Sequence, residues 1–279
     1  MSNGEQFIET NGVELCIETF GDSADPAIVL IHGACASMVW WESALCERIA
    51  AAGRYVIRFD NRDVGRSTSY PPGRPGYALS DLARDAVGIL DELGVEKAHF
   101  VGRSMSGATA ATLGVDHPDR VLTLTFVCTT PGDDDLPGMS DEFMEYTSDN
   151  PDPDNTEETT EWIVGLMKVY SGNSPYFDEN AMRELAELDV ARTRNLASAL
   201  GNHFMINFDA PQKGGFGDIK APSLVVHGSE DPVFPLPHGK ALQKAIPGAE
   251  LFIMDKAGHE VPEPLWDEFV SALVKHTAG

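Results

Sequence analysis

The chain has 279 residues, 42% of them hydrophobic, and a formal net charge of −24 at pH 7. That size fits one large domain, or a domain carrying an insertion, with enough apolar sequence for a sizeable core. The charge disfavours nucleic acid and anionic membrane surfaces as partners, because both are polyanions, and no apolar run reaches the length of a membrane span.

The first residues lack the basic and apolar regions of a secretory signal, so the expected location is the cytoplasm. Cys16, Cys35, Cys46 and Cys128 form no C-x-x-C pair and no Cys/His cluster, which points to free thiols and to no metal. No cofactor is expected. The partner expected is a small molecule, and self-association as a homo-oligomer is left open.

Residues Glu5 to Phe20 read as two strands around the Asn11-Gly12 turn, a strong hairpin signal. Ala27 to Ile31 is a continuous apolar run, the pattern of a strand covered by helices on both faces. His32-Gly33-Ala34-Cys35 follows at once. A glycine there lets the backbone swing an amide toward the top of the sheet, although the same residues also read as a plain strand-to-helix loop. Trp41 to Ala52 reads as a helix and Tyr55 to Phe59 as a strand. In the charged loop Asp60 to Ser67, Arg62 or Arg66 could bind substrate; the preferred reading is that Asp60, Arg62 and Asp63 tie the loop to its neighbours, opposite charges satisfying one another. Leu82, Ala86, Ile89, Leu90 and Leu93 recur at helical spacing and Gly94 ends that helix.

Ala98 to Val101 reads as a buried strand and Met105 to His117 as a helix, with Gly102-Arg103-Ser104-Met105-Ser106-Gly107 between and across them. A serine on so sharp a turn is pushed above the sheet edge, at the helix N-terminus, where a nucleophile is useful. The common pattern is Gly-x-Ser-x-Gly; here Ser106 stands in the second glycine position and Gly107 comes one residue later. Val121 to Val127 is the next strand. Strands alternating with helices imply an α/β architecture, with a parallel sheet whose ligand site lies at the strands' C-terminal ends.

From Pro131 to Glu161 there are twelve acidic residues and no lysine or arginine, a solvated stretch whose charge mostly serves solvation. Trp162 to Tyr170 and Ala181 to Asn207 read as helical, and an insertion of this length predicts a cap over the site. Its exit is Gly214-Gly215-Phe216-Gly217. Ser223 to His227 resumes the strands, with Asp231 at its end and Glu230 as a rival. Leu251 to Met254 is the last strand, and His259 follows it on a loop between Gly258 and Pro262. Nucleophile, acid and base thus occur in the order Ser104, Asp231, His259, each after a strand.

The His32-Gly33 turn, the Gly-x-Ser turn, Ser229-Glu230-Asp231-Pro232 and Gly258-His259 together resemble the α/β-hydrolase superfamily, over the chain from about Gly12 onward. Val56-Ile57-Arg58-Phe59-Asp60, Arg62-Asp63, Gly65-Arg66-Ser67-Thr68 and Pro237-His238-Gly239-Lys240 resemble the aclacinomycin methylesterase group, which hydrolyses a methyl ester on polyketide antibiotics. The resemblance implies a mostly parallel, doubly wound sheet with a helical cap inserted after the strand at 121–127, the core being 1–130 and 218–279 and the cap 131–217. It implies Ser104 as nucleophile, Asp231 as acid, His259 as base, and the amides of Ala34 and Met105 as oxyanion donors. The implied substrate is a small hydrophobic ester, with lactones, carbon-carbon bonds beside ketones and cofactor-free perhydrolysis as alternatives, and a non-catalytic ligand carrier behind them. Of the other histidines, His32 is expected to support the oxyanion turn, with a binding role left open, His99 and His227 to be buried and His117 and His276 exposed, while His203 could line the pocket and His238 could cap a helix. The orientation of Trp40, Trp162, Phe204 and Phe234 would report the character of that pocket.

Overall fold

The computed structural model of the protein describes residues 2–209 and 211–278. Its strands are β1 (Ser2–Thr10), β2 (Val13–Phe20), β3 (Ala27–Ile31), β4 (Tyr55–Phe59), β5 (Ala98–Arg103), β6 (Val121–Val127), β7 (Ser223–Gly228) and β8 (Glu250–Met254). They form one sheet in the order β1-β2-β4-β3-β5-β6-β7-β8. β1 and β2 pair antiparallel, as do β2 and β4, while every pair from β4 onward is parallel. The opening hairpin turns on Asn11 and Gly12, whose φ angles of 49° and 77° suit the twist of the flanking strands.

The helices in chain order are α1 (Ser43–Ala51), α2 (Leu79–Glu92), α3 (Ser106–Asp116), α4 (Asp141–Tyr146), α5 (Thr156–Ser171), α6 (Glu179–Arg192), α7 (Leu196–Ala199), α8 (Pro237–Ala245) and α9 (Trp266–His276). The apolar run of β3 is explained by two cores. Ile28 and Leu30 pack with Leu45 and Ile49 of α1 and Phe269 and Leu273 of α9. Val29 and Ile31 point the other way, into a core with Ala86 and Ile89 of α2, Leu113 of α3 and Leu242 of α8. A strand with apolar cores on both faces cannot alternate apolar with polar residues. Among the described residues no helix is long and apolar enough to cross a membrane.

Helices α4 to α7 fill the segment between β6 and β7. Their starts are capped by side chains: Ser140 accepts the Phe143 amide, Asn155 the Glu158 amide and Asp178 the Asn180 and Ala181 amides. The continuous helical stretch expected from Ala181 to Asn207 is broken. Thr193 leaves the helix in extended conformation, with ψ at 123°, and Asn195 caps a new short helix by accepting the Ser198 amide. The first helix of the core likewise starts at Ser43, two residues later than expected, because Met38–Trp40 form a 3-10 turn that ends on the Trp41 amide. The strand before Ser104 runs two residues beyond the expected Val101, to Arg103.

Candidate active site

Ser104 sits between β5 and α3 with φ at 53°, in the left-handed region that a side-chain-bearing residue adopts only when its surroundings impose it. Those surroundings are specific. The Ser104 amide donates to the Val127 carbonyl at 2.9 Å, and its carbonyl accepts from the Gly107 amide at 2.9 Å and the Thr129 hydroxyl at 2.8 Å. A Cβ at Gly102 would lie 2.1 Å from the Ser106 carbonyl oxygen, and one at Gly107 would lie 2.3 Å from the Thr129 hydroxyl. Both glycines are therefore needed for helix and strands to close around the serine. Ser106 needs no glycine: its fully buried hydroxyl donates to the His32 carbonyl at 2.6 Å.

The residues expected at the site are brought together. His259 Nε2 lies 3.0 Å from Ser104 Oγ, and His259 Nδ1 lies 2.9 Å from Asp231 Oδ2. Asp231 Oδ1 accepts the amides of Val233 and Phe234 at 2.9 and 2.8 Å, so both carboxylate oxygens are satisfied. Burial pushes the Asp231 carboxyl up, but the neighbouring His259 and these hydrogen bonds outweigh it and hold the acid below its ordinary value. Glu230, the rival acid, is exposed to solvent. The His32–Cys35 turn packs directly on the serine: a Cβ at Gly33 would be 2.9 Å from Ser104 Cβ. Among the described residues, no backbone or side-chain acceptor takes the amide of Ala34 or of Met105.

Two groups around the triad, Arg103 and Tyr170, give no sequence signal, and a third, His203, reads in sequence only as a pocket-lining candidate. The buried guanidinium of Arg103 donates to His32 Nε2 at 3.1 Å and to the His259 carbonyl at 2.7 Å, joining the His32–Cys35 turn, β5 and the loop that carries His259. Tyr170, at the end of α5, accepts the His259 amide at 2.8 Å and packs its ring 5.0 Å from the imidazole. His203 is fully buried, accepting the Cys35 amide at Nδ1 (2.8 Å) and meeting the Arg62 carbonyl through Nε2 (2.8 Å). It does not line a pocket, because both ring nitrogens are committed to backbone. Each of these contacts joins positions too far apart in sequence for spacing to reveal them.

The remaining expectations divide. His32 is buried against Arg103, and burial followed by that guanidinium's charge drives its pKa far down, consistent with a neutral support for the turn. His99 and His227 are buried. His276 is half-buried, with Nε2 at 3.0 Å from the Leu124 carbonyl, and His117 is half-buried as well, so neither is exposed. His238 does not cap α8; it bridges the Thr130 hydroxyl and the Pro137 carbonyl, both at 2.7 Å. The charged loop does tie itself to its neighbours, but with distant partners. Asp60 binds Arg192 at 2.9 Å and Arg62 binds Asp85 at 2.7 Å, while Asp63 accepts the Tyr77 hydroxyl at 2.7 Å. Cys128, Asp231 and His259 hold ligand-type atoms within 4.8 Å of one another. Asp231 and His259 are already bonded to each other and burial keeps the Cys128 thiol protonated, so a metal there would have to displace protons from the triad itself.

A cavity of about 550 Å³ lies between α5 and α6 on one side and Trp40, Trp41 and the 260–266 loop on the other, and Ser104, Asp231 and His259 are not among the residues that line it. Arg103 and Glu260, the chain neighbours of Ser104 and His259, stand in its wall. Trp40 faces this cavity, while Phe234 packs edge-on against the His259 ring at 5.6 Å. Trp162 instead packs on Tyr146, and Phe204 is 68% exposed.

This geometry has parallels in known proteins. The family model for the alpha/beta hydrolase fold matches residues 26–263. Rhodomycin D methylesterase DauP of Streptomyces sp. is 30% identical over 98% of this chain and 97% of its own. A 2-hydroxy-6-oxononadienedioate/2-hydroxy-6-oxononatrienedioate hydrolase of Paraburkholderia phymatum is 29% identical over 83% of this chain and 80% of its own. Among solved structures, an enol-lactonase from Burkholderia xenovorans superposes with a TM-score of 0.78 at 22% identity, over 98% of this chain and all of its own. With a mostly parallel eight-stranded sheet, a serine held on the turn after β5 and a family model spanning most of its length, this chain belongs to the α/β-hydrolase family.

Proposed function

We propose that this protein is a serine hydrolase that cleaves a carboxylic ester through an acyl-enzyme, with Ser104 as nucleophile, His259 as base and Asp231 as the acid that orients it. The observation that carries this reading is the unbroken hydrogen-bond chain from Asp231 through His259 to Ser104, at 2.9 and 3.0 Å, ending on a serine with φ of 53°. His259 keeps its proton on Nδ1 toward Asp231, which leaves Nε2 free to take the Ser104 proton as Oγ attacks the ester carbonyl. The amides of Ala34 and Met105 receive the negative charge that develops on the carbonyl oxygen. His259 then gives the proton to the departing alcohol. A water, deprotonated by the same nitrogen, releases the acid and restores the serine.

Residues 131–217 act as a cap on the core formed by 1–130 and 218–279. Tyr170 and His203 support this division, since both come from the insertion and bond to the base loop and the oxyanion turn. The substrate is a small hydrophobic ester, and the methylesterase relatives favour a methyl ester. Four free thiols support work in a reducing cytoplasm. A second reading, cleavage of a lactone or a carbon-carbon bond on the same triad, is favoured by the dienedioate hydrolase relatives.

Ser104→Ala should abolish labelling by a fluorophosphonate and lower p-nitrophenyl ester turnover by several orders of magnitude. Labelling that survives the substitution removes the nucleophile assignment. A panel of methyl esters, lactones and vinylogous diketones then separates the two readings.

A further inference from the structure

We propose that Ser106 and His203 are positioning residues for oxyanion stabilisation, anchoring from opposite sides the two peptide groups that flank the Ala34 amide. The inference rests on the serine-hydrolase reading and adds two residues to it. The His32–Gly33 peptide is held by its carbonyl, which accepts the Ser106 hydroxyl at 2.6 Å and the Asn61 side chain at 3.3 Å. The Ala34–Cys35 peptide is held by its amide, which donates to His203 Nδ1 at 2.8 Å. The peptide between them, Gly33–Ala34, carries the amide assigned to the oxyanion. Its two ends are thus fixed relative to Ser104, one from the helix that follows the nucleophile and one from the cap.

The backbone shows that this anchoring is needed. Cys35 has φ at 61°, a left-handed conformation that costs about 1 kcal/mol or more for a residue with a side chain and persists only where the surroundings impose it. The hydrogen bond from its amide to His203 is one contact that holds it there. His203 suits the task because its ring is fully buried and burial lowers its pKa, leaving Nδ1 an acceptor while Nε2–H donates to the Arg62 carbonyl at 2.8 Å. Ser106 is fully buried too, and the His32 carbonyl takes its hydroxyl. The second glycine of the common pattern is therefore exchanged here for a hydrogen bond that ties the nucleophile turn to the oxyanion turn. Glycine or alanine at 106 would leave the His32 carbonyl with the longer Asn61 contact alone.

The test compares wild type with Ser106→Ala, His203→Leu and His203→Asn, using p-nitrophenyl butyrate turnover and the rate of fluorophosphonate inactivation. Asparagine places an oxygen near the position of Nδ1 and retains the acceptor. Ser106→Ala and His203→Leu should lower kcat by roughly 10- to 100-fold with KM nearly unchanged, because a displaced donor is lost mainly in the transition state. The inactivation rate should fall in parallel, since the phosphonyl adduct occupies the same hole, and His203→Asn should recover most of the loss. Folded Ser106→Ala with wild-type kcat and inactivation rate overturns the proposal, whatever its melting temperature. That variant removes a single oxygen, so it decides the matter even where His203→Leu does not fold. Failure of the underlying reading looks different: Ser104→Ala would then still be labelled.

Discussion

At the scale of single residues, the triad depends on which atom of each side chain is already occupied. Asp231 gives one oxygen to two backbone amides and keeps the other for His259. In Asp231→Asn, the side-chain oxygen would keep the Val233 and Phe234 amides, which turns the NH₂ toward His259 Nδ1. Nδ1 would then have to accept, placing the imidazole proton on Nε2, where it faces Ser104 and cannot take its proton. The expected outcome is a kcat lower by about four orders of magnitude, with the fold intact; circular dichroism and steady-state kinetics check it. A residual activity near wild type would show that Asp231 does not set the tautomer. Arg103 belongs to the same scale. It reads in sequence as an unremarked position before the nucleophile, yet it bonds two of the three loops that build the site.

Among the elements, the join between α5 and the loop after β8 carries the most consequence. The last turn of α5 offers the Tyr170 carbonyl to the His259 amide, and Gly258 passes so close that a Cβ there would lie 2.2 Å from that carbonyl oxygen. Seating α5 and seating the loop that carries His259 are therefore one event. Gly258→Ala should push α5 away from the loop, lowering stability by about 1–3 kcal/mol and kcat together. Chemical denaturation and p-nitrophenyl ester kinetics read the two effects; loss of stability with unchanged kcat would separate the helix from the base. Asp189 makes a comparable join from α6, where its buried carboxylate takes the Ser37 hydroxyl and the Trp40 indole N–H. These joins explain why a segment so acidic and proline-rich at its start still packs on the core.

For the whole molecule, buried acids and buried histidines pull the pH dependence of stability in opposite directions. Burial raises the Glu42 carboxyl from its ordinary 4.5 to about 7, and raises Asp85, Asp189 and Glu260 as well. An acid whose folded-state pKa is raised contributes stability that is fully present below its unfolded pKa and is lost as pH rises through the folded value. For Glu42 that window runs from 4.5 to about 7. Asp231, Glu5 and Asp81 are lowered instead, so their contribution is present above their ordinary values and disappears only in stronger acid. Burial lowers the pKa of His32, His99, His203, His227 and His276, and a base lowered in the folded state gains stability as pH rises toward its ordinary 6.5. That opposes the raised acids, so the Glu42 contribution is read as a difference: the thermal midpoint of Glu42→Gln should rise relative to wild type between pH 4.5 and about 7. A Glu42→Gln curve parallel to wild type would show that this carboxyl does not titrate in the window. The net charge of −24 acts in the same direction as the raised acids, since self-repulsion grows as the last carboxyls ionise.

What the sequence determined by itself was whatever local pattern controls. The apolar run of β3 encodes a strand covered on both faces, Asn11-Gly12 encodes the hairpin, and Ser104, Asp231 and His259, which follow β5, β7 and β8, are three residues that the parallel topology brings within hydrogen-bond reach at the strands' C-terminal ends. The break at Thr193 and the late start of α1 were not legible, since the apolar spacing there is compatible with an unbroken helix and capping decides otherwise. Only the tertiary structure decided that Arg103, Tyr170 and His203 belong to the site and that Ser106 is a bond rather than a blemish in the pattern. The reason is physical. A hydrogen bond between residues 106 and 32, or 203 and 35, depends on where the folded chain places two backbone groups, and no spacing along the chain carries that information.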